Sequence, residues 1–211
     1  MQPALFDLTL DQFTQRLAER SATPGGGSAA AAWIADAAAL LAMVARFSTG
    51  EAYATVAPSM EQRADLAERA RRRCLELVEL DARSYDALSS AFKLPKDDEA
   101  RKAERAAAIQ AASKGALETP LETMERGCEV LECMAATVPG SNKNLATDLA
   151  SGALAARAGL EAAWLNVRVN AGSIKDKPWV EERLARGETL RARAQVALGV
   201  VLQHADGVLA G

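Results

Sequence analysis

One stretch constrains this chain more than any other: an alanine-dominated run through residues 29–43, introduced by Pro24-Gly25-Gly26-Gly27-Ser28. Alanine, leucine and methionine are the strongest helix formers, so the run predicts a helix. Three consecutive glycines before it predict a loop free to take positive φ. Together they make a loop-to-helix junction whose backbone N–H groups form the usual cradle for an anion. The run is long enough to raise the question of a membrane span. Asp36 inside it and Arg46 near its end argue for a buried helix of a soluble protein. Side chains this small let neighbouring backbones come close, which places the helix at the centre of a bundle.

Composition supports that class. Aromatic residues make up only 4% of the 211 residues and long β-branched runs are missing, which argues against a sheet protein. With 25% charged residues and a net charge of −3, there is no electrostatic case for nucleic acid, and no membrane partner is expected. The first residues lack a basic segment followed by an apolar core, so the expected location is the cytoplasm. Cys74, Cys128 and Cys133 have no CxxC spacing and read as reduced, buried small hydrophobes, so no metal site is expected. A single histidine, His204, nearly excludes a His ligand cluster or a Ser-His-Asp triad.

Periodicity then places helices along one domain, residues 1–211. Thr9 and Gln12 fit a capping box opening a helix over 9–20. The central helix closes at 48–51 with Gly50 as C-cap. Pro58 starts a long helix whose Arg71-Arg72-Arg73 reads as a solvated, glutamate-paired face. Further helices are expected over 99–117, from Pro120 to about 138, over 146–170, and over 180–204. The fold class is all-α, a bundle of long helices.

Four constellations can carry chemistry. The triple glycine is neither a P-loop nor a dinucleotide fingerprint, because no strand precedes it; it is either a ligand-facing loop or a tight turn. Asn142, Asn144, Thr147 and Asp148 cluster where a loop enters a helix, as site residues or as caps. Asn166 and Asn170 stand four residues apart on one helix face, although asparagine is a poor helix former. Asp81, beside an apolar stripe, either works as an acid or base or pairs with an arginine such as Arg83 or Arg168.

In their order these pieces resemble the cyclodeaminase/cyclohydrolase family: the C-terminal domain of formiminotransferase-cyclodeaminase and the stand-alone methenyltetrahydrofolate cyclohydrolases. Thr23-Pro24-Gly25-Gly26-Gly27-Ser28-Ala29-Ala30 is similar to its opening signature. Asp81 followed by Ser84-Tyr85, the middle section around Phe92-Lys93-Leu94-Pro95 and Thr119-Pro120-Leu121, Asn142-Lys143-Asn144-Leu145-Ala146-Thr147-Asp148, and Asn166-Val167-Arg168-Val169-Asn170 follow it in sequence. Three features depart from it: no lysine-rich stretch follows the central helix, Ser141 looks inserted, and Thr147 replaces a serine. The resemblance implies a homodimer with a tetrahydrofolate derivative bound as substrate near the dimer interface, and no cofactor. The implied reaction is hydrolysis of 5,10-methenyltetrahydrofolate to 10-formyltetrahydrofolate. Alternatives are cyclodeamination of 5-formiminotetrahydrofolate, and a non-catalytic folate-binding dimer. The catalytic candidates are then Asp81 and Asp148. The substrate-binding candidates are Pro24, Gly25, Gly26, Gly27, Ser28, Asn142, Asn144, Thr147, Asn166 and Asn170.

Overall fold

The computed structural model describes residues 3–211, and every regular element among them is helical. Met1 and Gln2, the start of the expected leader-free N-terminus and of the 1–211 domain, lie outside the described residues. The long elements are α1 (Leu10–Ala18), α2 (Gly26–Arg46), α3 (Ala57–Phe92), α4 (Glu99–Thr137), α5 (Ala146–Ala171) and α6 (Lys177–Ala210). Thr9 and Gln12 form the expected capping box at the start of α1.

α2 lies among α3, α4 and α5. Its alanines allow that crowding: Ala30, Ala31, Ala37, Ala38 and Ala45 are fully buried with Ile34, Leu41 and Val44. By length and hydropathy α2 would suffice to cross a membrane, but here its apolar surface is spent mostly on neighbouring helices. Cross-contacts set the directions. Gly27 meets Asp81 on α3, and Gly159 on α5 meets Ala30, so α3 and α5 run antiparallel to α2. At Gly159 a Cβ would stand 2.7 Å from the Ala30 carbonyl oxygen, so only glycine lets these two backbones touch. α6 runs beside α4, tied by Arg183–Glu118, Arg186–Glu125 and Arg193–Glu132 ion pairs. The arginine run on α3 is paired as expected: Arg71 and Arg72 to Glu68, and Arg73 to Glu76 and across to Glu122 on α4. All three cysteines are buried and unbridged, and burial pushes the Cys74 thiol up to about 12.

The structure corrects three sequence expectations. Gly26, Gly27 and Ser28 form the first turn of α2, not a loop, with Gly25 as an extended N-cap; no residue of the triplet has positive φ. Gly50, at φ +95, lies beyond the end of α2, whose C-cap is Phe47, and opens a short 3-10 turn instead. Pro120 does not start a helix but sits inside α4. A proline there has no N–H for the carbonyl four residues back, which is that of Ala116. The side-chain amide of Asn170, on α5, donates to that carbonyl at 2.7 Å. A tertiary hydrogen bond thus replaces the missing helical one, and α4 continues.

Candidate active site

The N-terminal turn of α2, the second half of α3 and the C-terminal end of α5 meet around a cavity of about 360 Å³. Gly25, Gly26 and Gly27 form one wall, Asp81, Ser84, Tyr85 and Leu88 a second, and Asn166, Val169 and Asn170 a third; Ala116 of α4 also reaches it. Asp81 is the only charged side chain among these.

Asp81 is held from behind. The hydroxyl of Ser28, fully buried, lies 2.9 Å from Asp81 Oδ2 and 3.0 Å from the Val78 carbonyl oxygen. A Cβ on Gly27 would fall 2.6 Å from Asp81 Cγ and 2.8 Å from Oδ2. Any side chain at 27 would therefore have to displace the Asp81 carboxylate, a constraint of crowding and not of backbone angle. The α2 N-terminus is an anion cradle, as the sequence suggested, but its anion is the protein's own carboxylate: with Gly25 as cap the helix has no side chain of its own to serve its first turn. Two influences compete on Asp81. Burial pushes its carboxyl above the usual range, and the hydroxyl and backbone N–H of Ser28 pull it back, with burial the larger. Neither arginine suggested as a partner reaches it in an ion pair; Arg83 pairs with Glu79.

The asparagines are turned by similar logic. Asn166 Nδ2 donates to Ala162 O at 2.9 Å, one turn back, and Asn170 Nδ2 to Ala116 O. Each amide has one N–H engaged and keeps its second N–H and its oxygen for other partners. The cavity wall thus combines a carboxylate with two side-chain amides and carries no cationic side chain. Its chemistry suits a cationic or N–H-rich ligand with one face against Tyr85, Leu88 and Val169.

The other candidates lie elsewhere. Pro24, after a cis peptide bond, is buried beneath the turn and does not line the cavity; nor does Ser28. Asn142, Asn144, Thr147 and Asp148 are at the opposite end of the bundle. Asn142 N–H donates to Ser48 Oγ, just past the C-terminal end of α2, and its side chain accepts from Asn144 N–H in a local cap. Thr147 is exposed and Asp148 half-exposed in the first turn of α5. A 21-residue helix is about 30 Å long, so within one chain these four cannot reach the cavity. Sequence reasoning also passed over Ser84, Tyr85 and Leu88 as site residues. Their spacing from Asp81, three, four and seven residues on, puts them on its helix face and was the signal available.

Comparison with known proteins follows this geometry. The formiminotransferase-cyclodeaminase family model matches residues 9–189. The chain is 37% identical to a methenyltetrahydrofolate cyclohydrolase of Methylorubrum extorquens, over 88% of this chain and 90% of that one. It is 30% identical to the mouse formimidoyltransferase-cyclodeaminase over 95% of its own length, but spans only 37% of that larger protein. A crystal structure of formiminotetrahydrofolate cyclodeaminase from Thermotoga maritima superposes with a TM-score of 0.86 at 27% identity, covering 96% of this chain and 98% of the other. The chain belongs to the formiminotransferase-cyclodeaminase family, a family of folate enzymes.

Proposed function

We propose that this protein is a cytoplasmic methenyltetrahydrofolate cyclohydrolase whose reacting carbon is served by Asp81. The observation that carries the reading is the cavity's charge: one half-buried carboxylate, two side-chain amides, and no basic side chain. 5,10-Methenyltetrahydrofolate is a delocalised amidinium cation with a flat, donor-bearing pterin. Ionised Asp81 attracts the cation and takes a proton from the water that adds to the methenyl carbon. The neutral adduct then receives that proton at N5. The C–N5 bond breaks as the carbonyl forms, and the hydroxyl proton leaves to solvent, giving 10-formyltetrahydrofolate. The Asn166 and Asn170 amides, each with an oxygen and a second N–H to offer, pair with the pterin edge. The cyclohydrolase reading is preferred to cyclodeamination because the bacterial cyclohydrolase matches at higher identity over nearly its whole length.

The same reading takes the protein as a homodimer with a shared site. α2 and its C-cap carry a partly uncovered stripe at heptad spacing, two heptads long: Trp33 (45% exposed), Asp36, Leu40, Met43 and Phe47 (61%). Beside it α5 exposes Leu154, Leu165 (61%) and Val169 (71%). Burial already pushes the Asp36 carboxyl up. Asp148 and Asn166 are roughly five helical turns, about 27 Å, apart on α5, and so lie on the same side of that helix. A two-fold axis across the middle of α2 pairs this face with itself. It sets the Asn142–Asp148 end of one copy over the Asp81 cavity of the other, and the split candidate set becomes one site twice.

Loss of methenyl absorbance, corrected for the uncatalysed rate, is the direct test. Ammonia release from 5-formiminotetrahydrofolate instead would move the assignment to the cyclodeaminase. Silence in both assays, with a reduced folate still binding by calorimetry, would reduce the protein to a binding dimer. For the assembly, Leu165→Glu should turn a dimer into a monomer by sedimentation. A native protein already sedimenting as a monomer would remove the shared site.

A further inference from the structure

We propose that Ser28 is a positioning residue whose one hydroxyl proton alternates between the Asp81 carboxylate and the Val78 carbonyl, holding Asp81 in place in both of its protonation states. The inference rests on Asp81 being the acid–base group proposed above, and assigns Ser28 a role other than substrate contact.

The geometry is a three-body one. Ser28 Oγ is 2.9 Å from Asp81 Oδ2 and 3.0 Å from Val78 O. Both are acceptors, and a serine hydroxyl has a single proton and two lone pairs. When Asp81 is ionised, the hydroxyl donates to Oδ2 in a charge-assisted bond. When Asp81 holds the proton taken from water, the acid donates from Oδ2 to Ser28 Oγ, and the hydroxyl proton swings to Val78 O. Ser28 keeps its own proton throughout, and no heavy atom has to move. Without the second acceptor, protonating Asp81 would leave two O–H groups competing at one contact; without the hydroxyl, ionised Asp81 would lose its one side-chain donor and keep only the Ser28 backbone N–H.

Two observations show the site is built around this contact. Ser28 has no exposed surface, so its hydroxyl has no water to turn to. Gly27 has no Cβ because the carboxylate occupies that space. The cavity that Asp81 lines has Thr23, Ser84, Tyr85, Asn166 and Asn170 as its other polar side chains. Tyr85 is the only other titratable side chain among them. Ser28 is thus the group that adjusts Asp81. The hydrogen bond lowers the Asp81 pKa by favouring the ionised form, so its loss moves the carboxyl further up.

The test is Ser28→Ala read three ways: kcat and KM, the pH profile, and the Asp81 carboxyl band by difference infrared spectroscopy on substrate-free protein, assigned with Asp81→Asn. The expected result is a kcat about 10- to 100-fold lower with KM little changed, since one hydrogen bond to a charged group is removed. The acidic limb and the Asp81 titration should both move up by about one pH unit. Ser28→Cys, nearly isosteric and a weak donor, should fall between native and alanine, and carries the comparison alone where the alanine variant does not fold. An Asp81 titration unmoved in the substituted protein would overturn the proposal. Failure of native protein to catalyse either folate reaction would overturn the proposed function, while the infrared titration would still decide the role of Ser28.

Discussion

The two ends of the bundle use similar residues in different ways. At the cavity end, Ser28, Asp81, Asn166 and Asn170 come from three helices and lean on one another or on carbonyls of other turns. At the far end, Asn142 and Asn144 make a local cap within three residues, and Thr147 and Asp148 face outward. Polar side chains held on rigid helices, Ser28, Asp81 and Asn170 by long-range contacts and Asn166 by its own helix, form a pocket. The same types at a loop-to-helix junction serve the loop first, and reach a ligand only where another surface is brought to them.

Substitutions sharpen this contrast. The largest effect is expected from Asp81→Asn, which should lower turnover about 10³-fold as the proton acceptor is lost. It should not lower the melting temperature at pH 7. A carboxyl whose folded pKa is raised makes the fold lose stability as pH climbs from the unfolded value, 3.8, to the folded one, and a neutral amide removes that penalty. A matching loss of stability at neutral pH would show that Asp81 is chiefly a cap for α2. By the same sign, activity should fall on the acid side at a pH above the ordinary carboxylate range.

Gly27→Ala comes next. The added methyl competes with the Asp81 carboxylate for space, so a stability loss of about 1–3 kcal/mol should accompany strongly reduced turnover. Gly25→Ala, whose Cβ would meet its nearest neighbour at an ordinary 3.6 Å, should be mild; equal damage at both positions would break the crowding argument. Smaller again is Asn170→Ala, which strands the Ala116 carbonyl that Pro120 leaves open and should cost about 1–3 kcal/mol. Pro120→Ala in that background should recover most of the loss in a thermal melt, because the helical N–H returns. The smallest effect is expected from Asn144→Ala, whose side chain makes no hydrogen bond among those of the local cap. A change in KM there without a change in stability would favour the shared site.

The fold was largely legible because it rests on local signals: alanine runs, apolar stripes, Thr9 with Gln12. What stayed hidden depends on pairs distant in sequence. Pro120 reads as a helix start until Asn170 is seen satisfying Ala116. The three glycines read as a flexible loop until Asp81 is found where the Gly27 side chain would be. Asp81 and the asparagines were visible as unusual residues on helix faces, and family resemblance brought them together before any contact was known. Tyr85 and Leu88 were missed because an aromatic and a leucine on a helix face look like core until the cavity beside them is seen. The distance between Asp148 and Asp81 was not readable at all, since motif order along a chain carries no information about which end of a bundle each motif occupies.

The central claim is that one reacting centre draws on both ends of the bundle through a second copy of the chain. Mixing Asp81→Asn and Asp148→Asn proteins under conditions that exchange subunits tests it most directly. Each variant alone should be nearly inactive. In a shared two-fold site the random mixture regains about a quarter of native turnover, because half the dimers are mixed and one of their two sites is intact. A mixture no more active than its parts, with exchange verified, would contradict the account.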